Sequence, residues 1–178
     1  MSNNSILIKR HYEDSITPTR AHSTDSGLDL SAYKFEKIYT KNPSNYNLNT
    51  VSLNSLEILV EPSFPFSNFM LHPHDRVLIN TGISATVGEG FEIQIRPRSG
   101  LALKQGLTVL NTPGTIDEGY RNIIGVIIVN LSSDPQKIDR GMRIAQMVVC
   151  PVALFPVQIV EDLNETERNK KGFGDSGV

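Results

Sequence analysis

Short runs of alternating apolar and polar residues, cut repeatedly by glycine and proline, run along most of this chain and predict a mostly β fold. Phe91-Glu-Ile-Gln-Ile-Arg96 alternates throughout, as a half-buried strand does. Ile123–Val129 is a β-branched run and predicts a strand buried on both faces. Arg143–Val149 and Val152–Phe155 predict two more strands, split by Pro151. Ile6–Lys9 predicts a first strand, and Arg76–Ile79 and Ile83–Thr86 flank a turn at Thr81-Gly82. One short helix interrupts the pattern, with Ser99 as its N-cap, Leu101–Gln105 as its body and Gly106 as its stop. The fold class expected is all-β, a sandwich or barrel with that single helix.

The rhythm fails between Lys41 and Leu71. Asn, Ser and Pro crowd the first part and Phe64, Phe66 and Phe69 the second, so residues 41–71 read as a surface insertion carrying at most one strand, Leu56–Val60. With 178 residues, the chain is expected to form one domain over residues 1–178. Residues 165–178 hold Gly172-Phe-Gly174 and Gly177, which deny the segment helix or strand stability and mark it as a mobile C-terminal arm.

Charge narrows the function classes. A formal net charge of -2 gives no reason to expect binding to a nucleic-acid polymer, so phosphate recognition has to be local. No apolar run approaches a membrane span, and the first twenty residues hold Lys9, Arg10 and Arg20 without a long apolar stretch, which together lead us to expect a cytoplasmic protein with no membrane partner. The single Cys150 sits in an apolar run and is expected to be a small buried hydrophobe. No pair of histidines has metal-ligand spacing, and there is neither a Gly-x-Ser-x-Gly elbow nor a Walker-type loop.

Five segments carry candidate chemistry. Arg96-Pro-Arg98-Ser99-Gly100 brings two guanidinium groups and a hydroxyl to a helix start, a local anion site. Asn111–Asn122 lies between two β runs and places Tyr120 three residues after the carboxylate of Asp117, which suits either a base beside an aromatic wall or a hairpin with a polar tip. Gln146 stands in an apolar strand, where an amide needs partners. Asp29 stands within the β run Ser26–Leu30, where Asp is depleted. The tail from Arg168 to Gly177 combines cations, glycines, Phe173 and Ser176, a composition suited to phosphates and a base face.

Taken in order, Ser26–Leu30, Pro97–Leu101, Gly114–Tyr120, Arg140–Gln146 and Arg168–Gly177 resemble the five ordered motifs of the trimeric deoxyuridine triphosphatases, the dUTPase family. That resemblance implies a distorted jelly-roll barrel and a homotrimer whose active sites are each shared by three chains. It implies hydrolysis of dUTP to dUMP and pyrophosphate with Mg²⁺ held mainly by the triphosphate. By position, Asp117 resembles the general base. Tyr120 resembles the wall against a ribose 2′-OH, and Asn111 and Gly114 the readers of uracil. Arg98, Ser99, Gly100 and Gln146 resemble phosphate ligands. Arg168, Phe173, Gly174 and Ser176 resemble the tail that closes over base and γ-phosphate. No direct protein metal ligand is implied, and Asp29 is placed to act through waters near the metal or the α-phosphate. The chain departs from the family at Asn122, Asn169 and Lys171, where Gly is usual, and at Asp175, where Ser or Thr is. A related fold, that of dCTP deaminase, is the rival enzyme class, and a non-enzymatic regulatory module is the other alternative.

Overall fold

The computed structural model of the chain describes residues 5–46, 57–59, 68–166 and 169. Among these residues thirteen strands and one α-helix follow in order: β1 (Leu7–Arg10), β2 (Gly27–Ser31), β3 (Lys34–Tyr39), β4 (Glu57–Leu59), β5 (Asn68–Leu71), β6 (Arg76–Asn80), β7 (Ile83–Thr86), β8 (Phe91–Arg96), α1 (Ser99–Gln105), β9 (Leu107–Val109), β10 (Gly114–Ile116), β11 (Gly125–Asn130), β12 (Gln136–Asp139) and β13 (Arg143–Pro151). A four-stranded sheet has the order β10-β8-β13-β2, and a five-stranded sheet the order β4-β3-β6-β11-β9. Two ribbons, β1-β7 and β12-β5, complete the structure. Every pairing among these strands is antiparallel.

Alternation drives the packing. On β8, Ile93 and Ile95 are buried while Glu92, Gln94 and Arg96 are only half-buried. Ala145 and Met147 on β13 and Leu28 and Leu30 on β2 join the same core, which meets Val77, Ile79, Val126 and Ile128 of the other sheet. Removing such side chains from water stabilises the fold by about 1.5–3 kcal/mol each. α1 ends at Gly106, whose φ of 65° is left-handed and whose added Cβ would lie 2.8 Å from the Ser132 amide nitrogen. Glycine is required there on both counts.

Several expectations change in the structure. Ser99 is the first residue of α1, and Arg98 takes the N-cap place without a side-chain capping bond. Val152–Phe155 is not a strand; the polypeptide runs on from β13 without a strand partner among the described residues, and Leu154 and Phe155 are exposed. Cys150 is half-buried rather than fully buried, with the Arg96 guanidinium donating to its sulfur at 3.3 Å. β3 escapes alternation because a register shift between Phe35 and Lys37 puts its two buried residues, Phe35 and Ile38, three apart.

The ends of the 41–71 segment are tied into the body. β4 pairs with β3, β5 pairs with β12, and Leu71 is fully buried. Tyr46 stacks on Phe69 at 5.4 Å between centroids and donates its hydroxyl to buried Asp75 at 2.7 Å. Burial and that carboxylate push the Tyr46 phenol well above its ordinary pKa. Leu71, at the end of β5, therefore belongs to the core.

Among the described residues, Asn130 is the most completely buried polar residue, at 0% exposure. Its amide donates to the carbonyls of Leu71 at 2.9 Å and Asp134 at 2.8 Å, and its oxygen accepts from the Ser132 amide at 2.9 Å and hydroxyl at 2.7 Å. It joins β5 to the end of β11 and the turn beyond. Asn130→Ala removes the side-chain partner of the Leu71 and Asp134 carbonyls and of the Ser132 amide, and is expected to lower unfolding free energy by about 3 kcal/mol. Urea denaturation at one fixed protein concentration measures this.

Candidate active site

Three neighbouring strands gather one polar group. Antiparallel partners share a face. Gln146 on β13 pairs with Asp29 on β2 and with Arg96 on β8, so all three point away from the core. Asp29 accepts from Arg98 Nε at 2.8 Å with one oxygen and from Arg143 Nη1 at 3.0 Å with the other. A bulge explains Arg143. The register shifts between Arg143 and Ala145, with Ile144 the extra residue, and bulges commonly re-aim a side chain. Gln146 Nε2 donates to the Pro97 carbonyl at 3.0 Å, which ties β13 to the turn before α1. Gly27 makes room for it, since a Cβ there would lie 2.1 Å from Gln146 Oε1.

The cluster therefore comprises Asp29, Arg98, Arg143 and Gln146, with exposed Ser99 and Gly100 at the adjoining helix start. Arg96 does not join it. Its guanidinium folds back along its own strand to Gln94 Oε1 at 2.6 Å and to Cys150. Arg143 lies in a segment already suspect by motif, but its part in the group is visible only through the bulge.

A second group forms on β10 and the loop after it. Gly114 is buried and pairs with Ile95, and an added Cβ there would meet Asn111 Nδ2 at 3.2 Å and Ile95 Cβ at 3.5 Å. The Asn111 amide thus lies against the Gly114 backbone on the core side of the sheet. Asp117 is exposed, one residue past the Ile116–Ile93 pair. The Tyr120 amide donates to the Asp117 carbonyl at 3.0 Å, and its hydroxyl to the Ile123 carbonyl at 3.0 Å, so the ring is held at the surface of the loop that carries Asp117. Asn122 uses its side chain to accept from the Ile123 amide at 2.8 Å. Asn169 has a φ of 44°, in the left-handed region that Asn tolerates better than most residues. Arg168, Lys171, Phe173, Gly174, Asp175 and Ser176 lie outside the described residues.

The two groups do not meet within one chain. Asp117 stands beside the start of β8, whereas Arg98 follows its end. At the rise of a strand, six residues of separation amount to about 20 Å. Of the second group, Gly114 shares the inward face with buried Ile95, whereas Asp117, two residues past outward-facing Thr115, is exposed.

Comparison with known proteins settles the family. The dUTPase family model matches residues 66–177. The chain belongs to the dUTPase family. The deoxyuridine 5'-triphosphate nucleotidohydrolase of Clostridium novyi (strain NT) is 42% identical over 173 residues, covering 97% of this chain and 99% of that one. The protein of the same name from Crocosphaera subtropica (strain ATCC 51142 / BH68) is 45% identical over 173 residues, again with 97% and 99% covered. Among solved structures, a mutant dUTPase of Staphylococcus bacteriophage 80alpha with dUpNHpp superposes with a TM-score of 0.71 at 22% identity, covering 99% of this chain and 100% of that one. That likeness establishes the dUTPase-type β fold. Among the described residues no helix is long and apolar enough to cross a membrane.

Gly27 offers a clean probe of this dUTPase-family site. The atom that a new Cβ meets is the far end of a flexible side chain, so Gly27→Ala is expected to fold and melt close to the parent. It displaces the Gln146 amide from the Pro97 carbonyl, which appears in nuclear magnetic resonance as faster solvent exchange of the Gln146 side-chain amide protons.

Proposed function

We propose that this dUTPase-family hydrolase cleaves dUTP between its α and β phosphates, giving dUMP and pyrophosphate. This removes the nucleotide that would carry uracil into DNA and supplies dUMP for thymidylate synthesis. The observation that carries the reading is the pair of arginines held by one carboxylate beside Gln146. Arg98 and Arg143 are pre-aimed by Asp29, so less side-chain freedom is lost when phosphate arrives. The group keeps a net positive charge for the triphosphate.

Asp117 takes the general-base role. A carboxylate beside an exposed loop can orient a water and accept its proton as that water attacks the α-phosphorus from the side opposite the departing pyrophosphate. The P–O bond to the β-phosphate breaks as the new P–O bond forms. Tyr120 gives the sugar a wall that a 2′-OH would strike, and Asn111 with the Gly114 backbone reads the uracil edge. Arg98, Ser99, Gly100 and Gln146 hold phosphate oxygens. Arg168, Phe173, Gly174 and Ser176 close the site by the family pattern.

Mg²⁺ fits as a companion of the triphosphate. Both Asp29 oxygens accept from arginines, so Asp29 would meet a cation through water rather than directly. When bound, Mg²⁺ neutralises phosphate charge and aligns the chain of phosphates. The chain's own residues position the substrate and handle the proton.

The same geometry supports a homotrimer with shared sites. About 20 Å of strand separates Asp117 from Arg98 in one chain, so a site using both would draw them from different copies. The run after β13 supports such an assembly. Leu154, Phe155, Val157, Ile159 and Leu163 are each at least 83% exposed, and a second copy gives them cover.

Asp117→Asn keeps shape and removes the base, so turnover is expected to fall by about two to four orders of magnitude with dUTP binding largely retained. Pyrophosphate release reports the turnover and calorimetry the binding; unchanged turnover would discard the assignment.

Subunit mixing tests the shared site. Homotrimers of Asp117→Asn and of Arg98→Ala are each expected to be nearly inactive. After co-refolding at equal amounts, a site assembled from two chains finds both good residues about one quarter of the time in a closed three-fold ring. Activity recovering to that level supports sharing, whereas mixed trimers that stay inactive place both residues in one subunit's site.

A further inference from the structure

The loop holding Asp117 and Tyr120 leaves β10 in one sheet and enters β11 in the other. Such a crossing has no ladder to pair its carbonyls, and backbone polar groups need partners. Side chains supply them. Thr86 Oγ1, at the end of β7, donates to the Glu118 carbonyl at 3.0 Å. Arg121 Nη1 donates to the Tyr120 carbonyl at 2.9 Å, to Thr86 Oγ1 at 3.2 Å and to the Glu118 carbonyl. Two residues back on β7, Ser84 donates to the Arg121 carbonyl at 3.1 Å. A hydroxyl has one proton to give, so His11 Nε2, 2.7 Å from Ser84 Oγ, is the donor in that pair.

The Arg121 guanidinium is thus directed at its own loop. It bonds the carbonyls on both sides of Gly119-Tyr120 and couples them to Thr86. The main-chain anchors lie further along, where the Ile124 amide donates to the Ile83 carbonyl at 2.8 Å. Beside the tether runs an open groove of about 300 Å³ whose lining includes Leu7, Lys9, Ser84, Thr86, Tyr120 and Arg121. The loop therefore has room to shift once the tether is cut.

We propose that Thr86 and Arg121 are positioning residues for this reaction. They hold the aim of Asp117 and the set of the Tyr120 ring, and through them they determine turnover and the preference for deoxyribose over ribose. Neither touches the substrate. The inference rests on the roles proposed above for Asp117 and Tyr120.

Thr86→Val keeps the shape and removes the hydroxyl. It is expected to lower kcat for dUTP about tenfold, since small misplacements of reacting groups are costly. The ratio of dUTP to UTP hydrolysis falls with it, KM changes little, and the melting temperature stays close to the parent. Thr86→Ser restores both rate and preference. Arg121→Lys, which retains charge but loses the planar fork, gives the same split. In an Asp117→Asn background Thr86→Val adds no further loss, because both changes act through one group. Parental kcat and sugar preference in Thr86→Val would overturn the positioning role. So would an Arg121→Lys protein altered only in KM, which would mark the guanidinium as a direct substrate contact. If Asp117→Asn loses turnover and Thr86→Val does not, the proposed function stands and the positioning role alone fails. Full turnover in Asp117→Asn would remove both.

Discussion

Withdrawing Ile93, Ile95, Ala145, Met147, Leu28 and Leu30 from water leaves three adjacent strands no choice about their other face. Side chains alternate along a strand, so once these residues point inward, Arg96, Gln146 and Asp29 point outward together. A one-residue slip in register would bury a carboxylate and an amide and expose the core. The chemistry of the outward face is thus guarded by the hydrophobic cost of the inward one. What the core does not dictate, irregularities supply: the bulge at Ile144 brings Arg143 to Asp29, and glycine at position 27 leaves space for Gln146.

The electrostatics follow from that placement. A single half-buried carboxylate between two guanidinium groups would be a poor stability device on its own, because partly exposed ion pairs contribute little. Its value lies in geometry. Both oxygens of Asp29 are used, so each arginine is held in a direction while one positive charge remains uncompensated. A polyanion approaching the cluster meets donors already turned toward one place.

Much of this was legible in the residues. Full alternation in Phe91–Arg96 marks β8, and Gln146 and Asp29 stand out because their surroundings are apolar or β-forming. Other features were hidden for physical reasons. The bulge in β3 breaks its period of two, and three-residue strands such as β9 and β10 are too short to display one. Arg96 and Arg98 share a spacing that suggests common work, yet the strand ends between them and their side chains part company. Val152–Phe155 carries a true apolar signal, but what the signal reports is a need for cover, and no strand of the described chain supplies it. The separation of Asp117 from Arg98 required knowing that β10 lies beside β8 and in which register.

That uncovered run also bears on how the protein is made. It follows β13, so during synthesis it emerges after all the strands of both sheets have been translated. Exposed apolar stretches are the parts of a nascent chain most prone to aggregate, and the hazard grows with the time they wait. Here the stickiest stretch appears when the rest of the subunit can already be folded. If a second copy provides that cover, the interval between emergence and burial is set by how soon another finished copy is met, and local concentration of newly made chains then weighs on yield.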